Sequence, residues 1–85
     1  MNVSKFTATT SAVLGPSNFS MLYWLNPQNI GDTLVLEDAS GNEVVTLRCE
    51  VANQSQVFNW PGHGFRTNGY QIATLASGSA YLYTT

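Results

Sequence analysis

Apolar and polar residues alternate in short blocks along this chain, and no long stretch repeats with a helical period, so the sequence predicts strands throughout. Phe6, Ala8, Thr10, Ala12 and Leu14 alternate with Thr7, Thr9, Ser11 and Val13, a first strand that Gly15-Pro16-Ser17-Asn18 should end. Ser20-Met21-Leu22-Tyr23-Trp24-Leu25 is apolar at both parities, as a strand covered on two faces would be, and Asn26-Pro27-Gln28-Asn29 closes it. Thr33–Glu37 and Glu43–Val51 flank Asp38-Ala39-Ser40-Gly41-Asn42, where Gly41 can supply the positive φ of a short hairpin loop. In that hairpin Val45, Leu47, Cys49 and Val51 should face inward, with Arg48 and Glu50 sharing the solvent side. Val57–Trp60 forms a short strand ended by Pro61-Gly62-His63-Gly64, and Phe65-Arg66-Thr67 leads to the turn dipeptide Asn68-Gly69. Tyr70–Leu75, the turn Ala76-Ser77-Gly78-Ser79 and Ala80–Thr84 complete the pattern as a closing hairpin. The fold class is all-β: a small antiparallel β-sandwich or jelly-roll-like domain of about seven to eight short strands.

Length and composition narrow what such a domain can do. At 85 residues the chain is a single domain, 1–85, whose folding removes only roughly 60% of the unfolded surface from water. Its apolar fraction of 44% is ordinary, but its charged fraction of 9% lies far below the roughly 25% of typical soluble domains. Asn, Gln, Ser and Thr fill the gap and leave a polar, nearly neutral surface. Weak self-repulsion favours assembly over life as a free monomer, although many Ser/Thr/Asn-rich monomers share this composition. Lys5, Arg48 and Arg66 are the only cations and the net charge is -2, so no basic stripe exists for nucleic acid. The first residues, Met1 to Phe6, lack the apolar stretch of a signal peptide, and no apolar run approaches a membrane span. With Cys49 the single cysteine, no internal disulfide is available, which fits synthesis in a reducing compartment.

Covalent chemistry finds little purchase. His63 is the one imidazole, no nucleophile motif surrounds it, and Pro61-Gly62-His63-Gly64 reads as a tight loop. Asp32, Glu37, Asp38 and Glu43 cluster around one hairpin and Glu50 stands apart, the pattern of solvated charges rather than an acid–base pair. One His and one Cys cannot complete a zinc site, and Asp38 to Glu43 holds what a hairpin turn asks for before it offers a calcium site. No glycine-rich phosphate loop leads into a helix. The expectation is a non-enzyme with no cofactor and no metal.

Aromatic residues are what remains. Most must be core in so small a sandwich, yet alternation separates Tyr81 and Tyr83 from Leu82, and Trp24 from Tyr23 and Leu25, so some face outward. Exposed aromatics serve protein interfaces and sugar-stacking platforms alike. Trp24, Trp60, Tyr81 and Tyr83 are the candidate interface residues.

The order of features, Leu22-Tyr23, the 33–38 hairpin strand closing through Ser40-Gly41-Asn42, Phe65 with Asn68-Gly69, and Ser77-Gly78-Ser79 into Ala80-Tyr81-Leu82-Tyr83, resembles small virion proteins of tailed bacteriophages, capsid decoration or cement proteins among them. The resemblance implies a compact β-sandwich assembling as a homotrimer on the particle, with the major capsid protein or other virion proteins as partners. It also implies location in the virion after synthesis in the host cytoplasm. The segment 1–11 would be a strand, or an arm reaching a neighbour. Two alternatives stand beside the head decoration protein: a tail or neck component of the virion, and a carbohydrate- or receptor-binding module using Trp24, Trp60 or Tyr83.

Overall fold

The computed structural model describes residues 2–84, and these are all-β. Seven strands follow one another: β1 (Asn2–Phe6), β2 (Val13–Leu25), β3 (Thr33–Asp38), β4 (Glu43–Arg48), β5 (Gln56–Asn59), β6 (Phe65–Leu75) and β7 (Ser79–Thr84). All pairings are antiparallel, in the order β1-β7-β2-β6-β3-β4, with β5 also on β2. The long strand β2 is the corner of the sandwich. Its first half, Val13 to Phe19, pairs with the start of β6; its second half pairs with β7 on one edge and β5 on the other. Strands that change sheets at a bend or bulge turn one ribbon into two packed layers, and β2 carries register shifts on both sides of its midpoint.

The two layers bury one core. From β1, β7, β2 and β5 come Phe6, Ala80, Leu82, Leu22, Trp24 and Phe58; from β3, β4 and β6 come Leu34, Leu36, Val45, Leu47, Ile72 and Leu75. Phe19, at the bend of β2, sits between them with its ring 5.4 Å from Tyr70 and 5.5 Å from Trp60. No buried side-chain N or O atom among the described residues lacks a hydrogen-bond partner, as a thin core that tolerates few polar groups requires.

Several sequence expectations meet different backbone. The first strand ends at Phe6 instead of spanning 6–14, and Gly15-Pro16-Ser17-Asn18 lies inside β2. Pro16 is accommodated where the β2–β6 register slips between Val13 and Pro16, and Gly15 takes φ +113°, so the residues that break a regular strand here make a bulge. Asn68-Gly69 likewise forms no turn: β6 runs unbroken from Phe65 to Leu75, and Gly69, at φ +110°, kinks it. A Cβ at Gly69 would lie 2.8 Å from the Ala39 Cβ and 3.1 Å from the Val13 carbonyl oxygen, so the glycine is there for close approach as well as for φ.

The expected closing hairpin is also absent. β6 pairs with β2 and β3, β7 with β1 and β2, and residues 76–78 carry the chain across the end of the sandwich from one layer to the other. That crossing is tied on both sides. The Ala76 N–H donates to the Thr33 carbonyl, Trp24 Nε1 donates to the Ser77 carbonyl at 2.8 Å, and Ser77 Oγ donates to Asp32 Oδ2 at 2.6 Å. The β3–β4 hairpin does close as expected through Gly41 at φ +88°, and Arg48 and Glu50 share the solvent side as an ion pair at 2.9 Å. Val51, expected inside, is instead 55% exposed, because β4 ends at Arg48 and Val51 enters the turn beyond the buried Cys49.

Candidate functional site

Two surfaces stand out, and strand register builds the first. Across the layer of β1, β7, β2 and β5, Val3 pairs with Tyr83, Tyr83 with Met21 and Met21 with Asn59; one step along, Lys5 pairs with Tyr81, Tyr81 with Tyr23 and Tyr23 with Val57. These rows alternate with the buried rows of Leu82 and Leu22 and of Ala80 and Trp24, so they occupy the opposite face of the layer. The result is a continuous face made largely of apolar and tyrosine side chains. Val3 and Val57 at its margins are 52% and 49% exposed, and the tyrosines and Met21 are half-buried against one another. The Tyr23 and Tyr81 rings lie 6.0 Å apart at 40°, and Lys5 Nζ, the one charge in these rows, sits 5.8 Å above the Tyr81 ring.

The second surface lies where β2 leaves one layer for the other. After Trp60 the chain turns through Pro61-Gly62-His63-Gly64 and is pinned to β2 at three places. The Trp60 N–H donates to the Ser20 carbonyl at 3.1 Å, Asn18 Nδ2 donates to the His63 carbonyl at 2.8 Å, and Gly64 packs so tightly that a Cβ would lie 2.4 Å from the Phe19 carbonyl oxygen. Gly64 also holds φ +88°, which a side chain would strain. Between this turn and β2 are two adjoining clefts that share Asn18 and Arg66; Pro16 and Ser17 complete one, and Ser20, Trp60, Gly62, His63 and Gly64 the other. Asn18 and Arg66 are direct cross-strand partners.

The four aromatic candidates therefore separate. Tyr81 and Tyr83 lie on the outer face, joined there by Tyr23 and Met21. Trp60 lines the cleft, its ring 5.0 Å from Phe58 and 5.5 Å from Phe19, half-buried. Trp24 is a correction: it is fully buried, its indole N–H spent on Ser77, and so it presents nothing to a partner. Period two separates Trp24 from Tyr23 but carries no label saying which parity is inside. The outer residues Tyr23 and Met21 follow once Trp24 is placed in the core. The cleft had no such signal, since Asn18 and Arg66 meet only through the β2–β6 pairing.

Among the described residues no group of three or more His, Cys, Asp or Glu is gathered to hold a metal ion, and no helix is long and apolar enough to cross a membrane. One carboxylate with a shifted titration lies at the β3–β4 hairpin. Backbone N–H donation from Asn42 outweighs the opposing desolvation and, with smaller help from the Asn42 side chain and the Ser40 and Gly41 amides, holds the Asp38 carboxylate below its ordinary range. It is a turn-closing carboxylate, remote in function from either surface.

No protein-family model matches the chain, and no curated protein matches it in sequence. In fold it is similar to a fucose-binding module of Streptococcus pneumoniae, SpX-3, with a TM-score of 0.52 over 98% of this chain and 72% of that one, at 14% identity. Identity that low bears on architecture alone, and there it agrees with the β-sandwich built above.

Proposed function

We propose that this chain is a structural protein of a bacteriophage virion, a head decoration or cement protein that assembles as a trimer and docks on the major capsid protein. The observation that carries the proposal is the outer face of β1, β7, β2 and β5. A strand apolar at both parities, Met21 to Leu25, is covered by the core on one side only, and Tyr81, Tyr83, Val3 and Val57 extend the uncovered side. Tyrosine and methionine on a surface with one charge are the composition of an interface core. A low charge density suits a protein whose faces are occupied in its working state. A tail or neck component would use the same face, and its location in a particle reconstruction separates the two. Light scattering at high protein concentration should give a trimer, and purified particles should contain the chain. A strict monomer that is also missing from particles would sink the proposal.

A second reading has its own observation. The cleft at the β2 bend is concave and lined by an aromatic ring with several polar side chains, features shared with small-ligand sites, and the similar fold belongs to a fucose-binding module. In this reading the chain is a carbohydrate- or receptor-binding module whose site is the Asn18–Trp60–His63–Arg66 cleft instead of the tryptophan and tyrosine set read from sequence. Titration with a panel of monosaccharides, followed by resonance shifts of cleft residues, tests it; a panel that moves none of them rejects it.

A further inference from the structure

The chain is acidic overall, yet its five carboxylates are all elsewhere: none of Asp32, Glu37, Asp38, Glu43 and Glu50 lines the cleft at the β2 bend. What lines it includes one of the three cations, Arg66, and the one imidazole, His63. The other arginine is neutralised by Glu50, and Lys5 lies over Tyr81, but the Arg66 guanidinium makes no hydrogen bond or ion pair to any described residue. Neither the His63 ring nor the Trp60 indole N–H has a hydrogen-bond partner among the described residues. The side chains not already engaged around this cleft therefore offer donors and no negative charge.

The surroundings hold the turn and the Trp60 ring in place. Asn18 fixes the His63 backbone, the Trp60 N–H is bonded to Ser20, and the Trp60 ring is wedged against Phe19 and Phe58, so the turn is positioned before any ligand arrives. A free guanidinium fork recognises a planar carboxylate through two parallel hydrogen bonds. An indole in the same cleft supplies an amphipathic ring against which the C–H face of a pyranose packs. A single cation is too few for a nucleic-acid backbone, whose binding draws on several phosphate contacts together.

We propose that this cleft binds an acidic sugar, a pyranose bearing a carboxylate such as a uronic acid, with Arg66 taking the carboxylate and Trp60 the ring. The proposal rests on the carbohydrate-binding reading and adds to it the charge of the ligand. Isotopically labelled protein is titrated with D-glucuronate, D-glucose, L-fucose, acetate and inorganic phosphate in turn, following the Asn18, His63 and Arg66 signals and the Trp60 indole. Glucuronate should shift all four and bind about tenfold more tightly than either neutral sugar, the increment of one charge-assisted bidentate contact. Acetate and phosphate should bind at least as weakly as the neutral sugars and leave the indole unmoved. Arg66→Gln should abolish the preference for glucuronate over glucose and fucose, and Arg66→Lys should restore only part of it. Arg66 is exposed and outside the core, so both variants should keep the wild-type amide spectrum away from the cleft. Equal affinity for glucose, fucose and glucuronate overturns the inference and leaves the carbohydrate reading standing. Phosphate or acetate binding as tightly as glucuronate overturns it in favour of a small-anion site, and no shift with any sugar removes both.

Discussion

Trp24 shows how one residue couples the core to a connection. Its ring fills the space between the two layers with no exposure, and its indole N–H reaches the carbonyl of Ser77, in the segment that carries β6 over to β7. Trp24→Phe removes ring volume and the donor together, leaving a void and an unpaired carbonyl. It should cost about 3 kcal/mol of unfolding free energy in a denaturant titration. A loss under about 0.5 kcal/mol would mean the site collapses freely and the Ser77 contact contributes nothing. The neighbouring Gly78 makes the same point about backbone: at φ +72° its missing Cβ would lie 2.4 Å from the Leu25 carbonyl oxygen. Sequence showed Ser77-Gly78-Ser79 as a turn, and turn chemistry is local enough to be read. It could not show that the turn joins two layers, because that depends on contacts with Trp24, Asp32 and Thr33.

Among the elements, the β3–β4 hairpin was the most legible, since its strands are sequence neighbours and its loop carries its own closing groups. Asp38 Oδ1 accepts from the Ser40 and Asn42 amides, both at 2.9 Å, and the Asp38 N–H donates to the Asn42 carbonyl. These bonds hold the charged form, so the carboxylate of Asp38 titrates lower in the folded chain than in the unfolded one. A lowered folded pKa contributes stability that is fully present above the ordinary Asp range and is lost as pH falls through that range to the folded value. Asp38→Asn should therefore flatten part of the acid limb of the stability–pH curve, and the Asn42 amide should report a titration below that of a peptide spanning 37–43. An Asn42 titration at or above the peptide's value would remove the loop carboxylate from the stability argument. The long strands were harder to see. β2 and β6 each contain residues that end strands in most settings, Gly15-Pro16 and Asn68-Gly69, and here those residues form the bulge and kink that let one strand serve two layers. Nothing in local pattern distinguishes a bulge from a turn; the partner strand decides.

For the whole molecule, the fold class was legible because period-two alternation and frequent turn signals are properties of the chain itself, whereas pairing order and the β2 bend are properties of the assembled sandwich. The same limit explains the two surfaces. The tyrosine face was half visible in Tyr81 and Tyr83, which share a strand parity, while the cleft joins residues 18–20 to residues 60–66 and has no sequence signature. Met21 to Leu25 carries the consequence furthest. A sandwich strand needs apolar residues at one parity only, and the inward set, Leu22 and Trp24, already meets that need. Met21, Tyr23 and Leu25 add nothing to the core, so their apolar character calls for a reason outside this fold. Occupation by copies or by a shell protein supplies one. Met21→Glu with Tyr81→Glu places two charges in adjacent rows of that face while leaving every core side chain unchanged. The double variant should unfold within about 1 kcal/mol of the parent, since substitutions on a face that packs no core cost little. On the proposed virion role it should also fail to form trimers or bind capsids, because an unpaired carboxylate buried in an apolar contact costs far more than the contact returns. If the variant assembles like the parent, the face is solvent-exposed in the working particle and the virion proposal must rest on another surface. If it loses fold and assembly together, single substitutions at the half-exposed margin, Val3→Glu and Val57→Glu, separate the two effects by keeping the sheet centre intact.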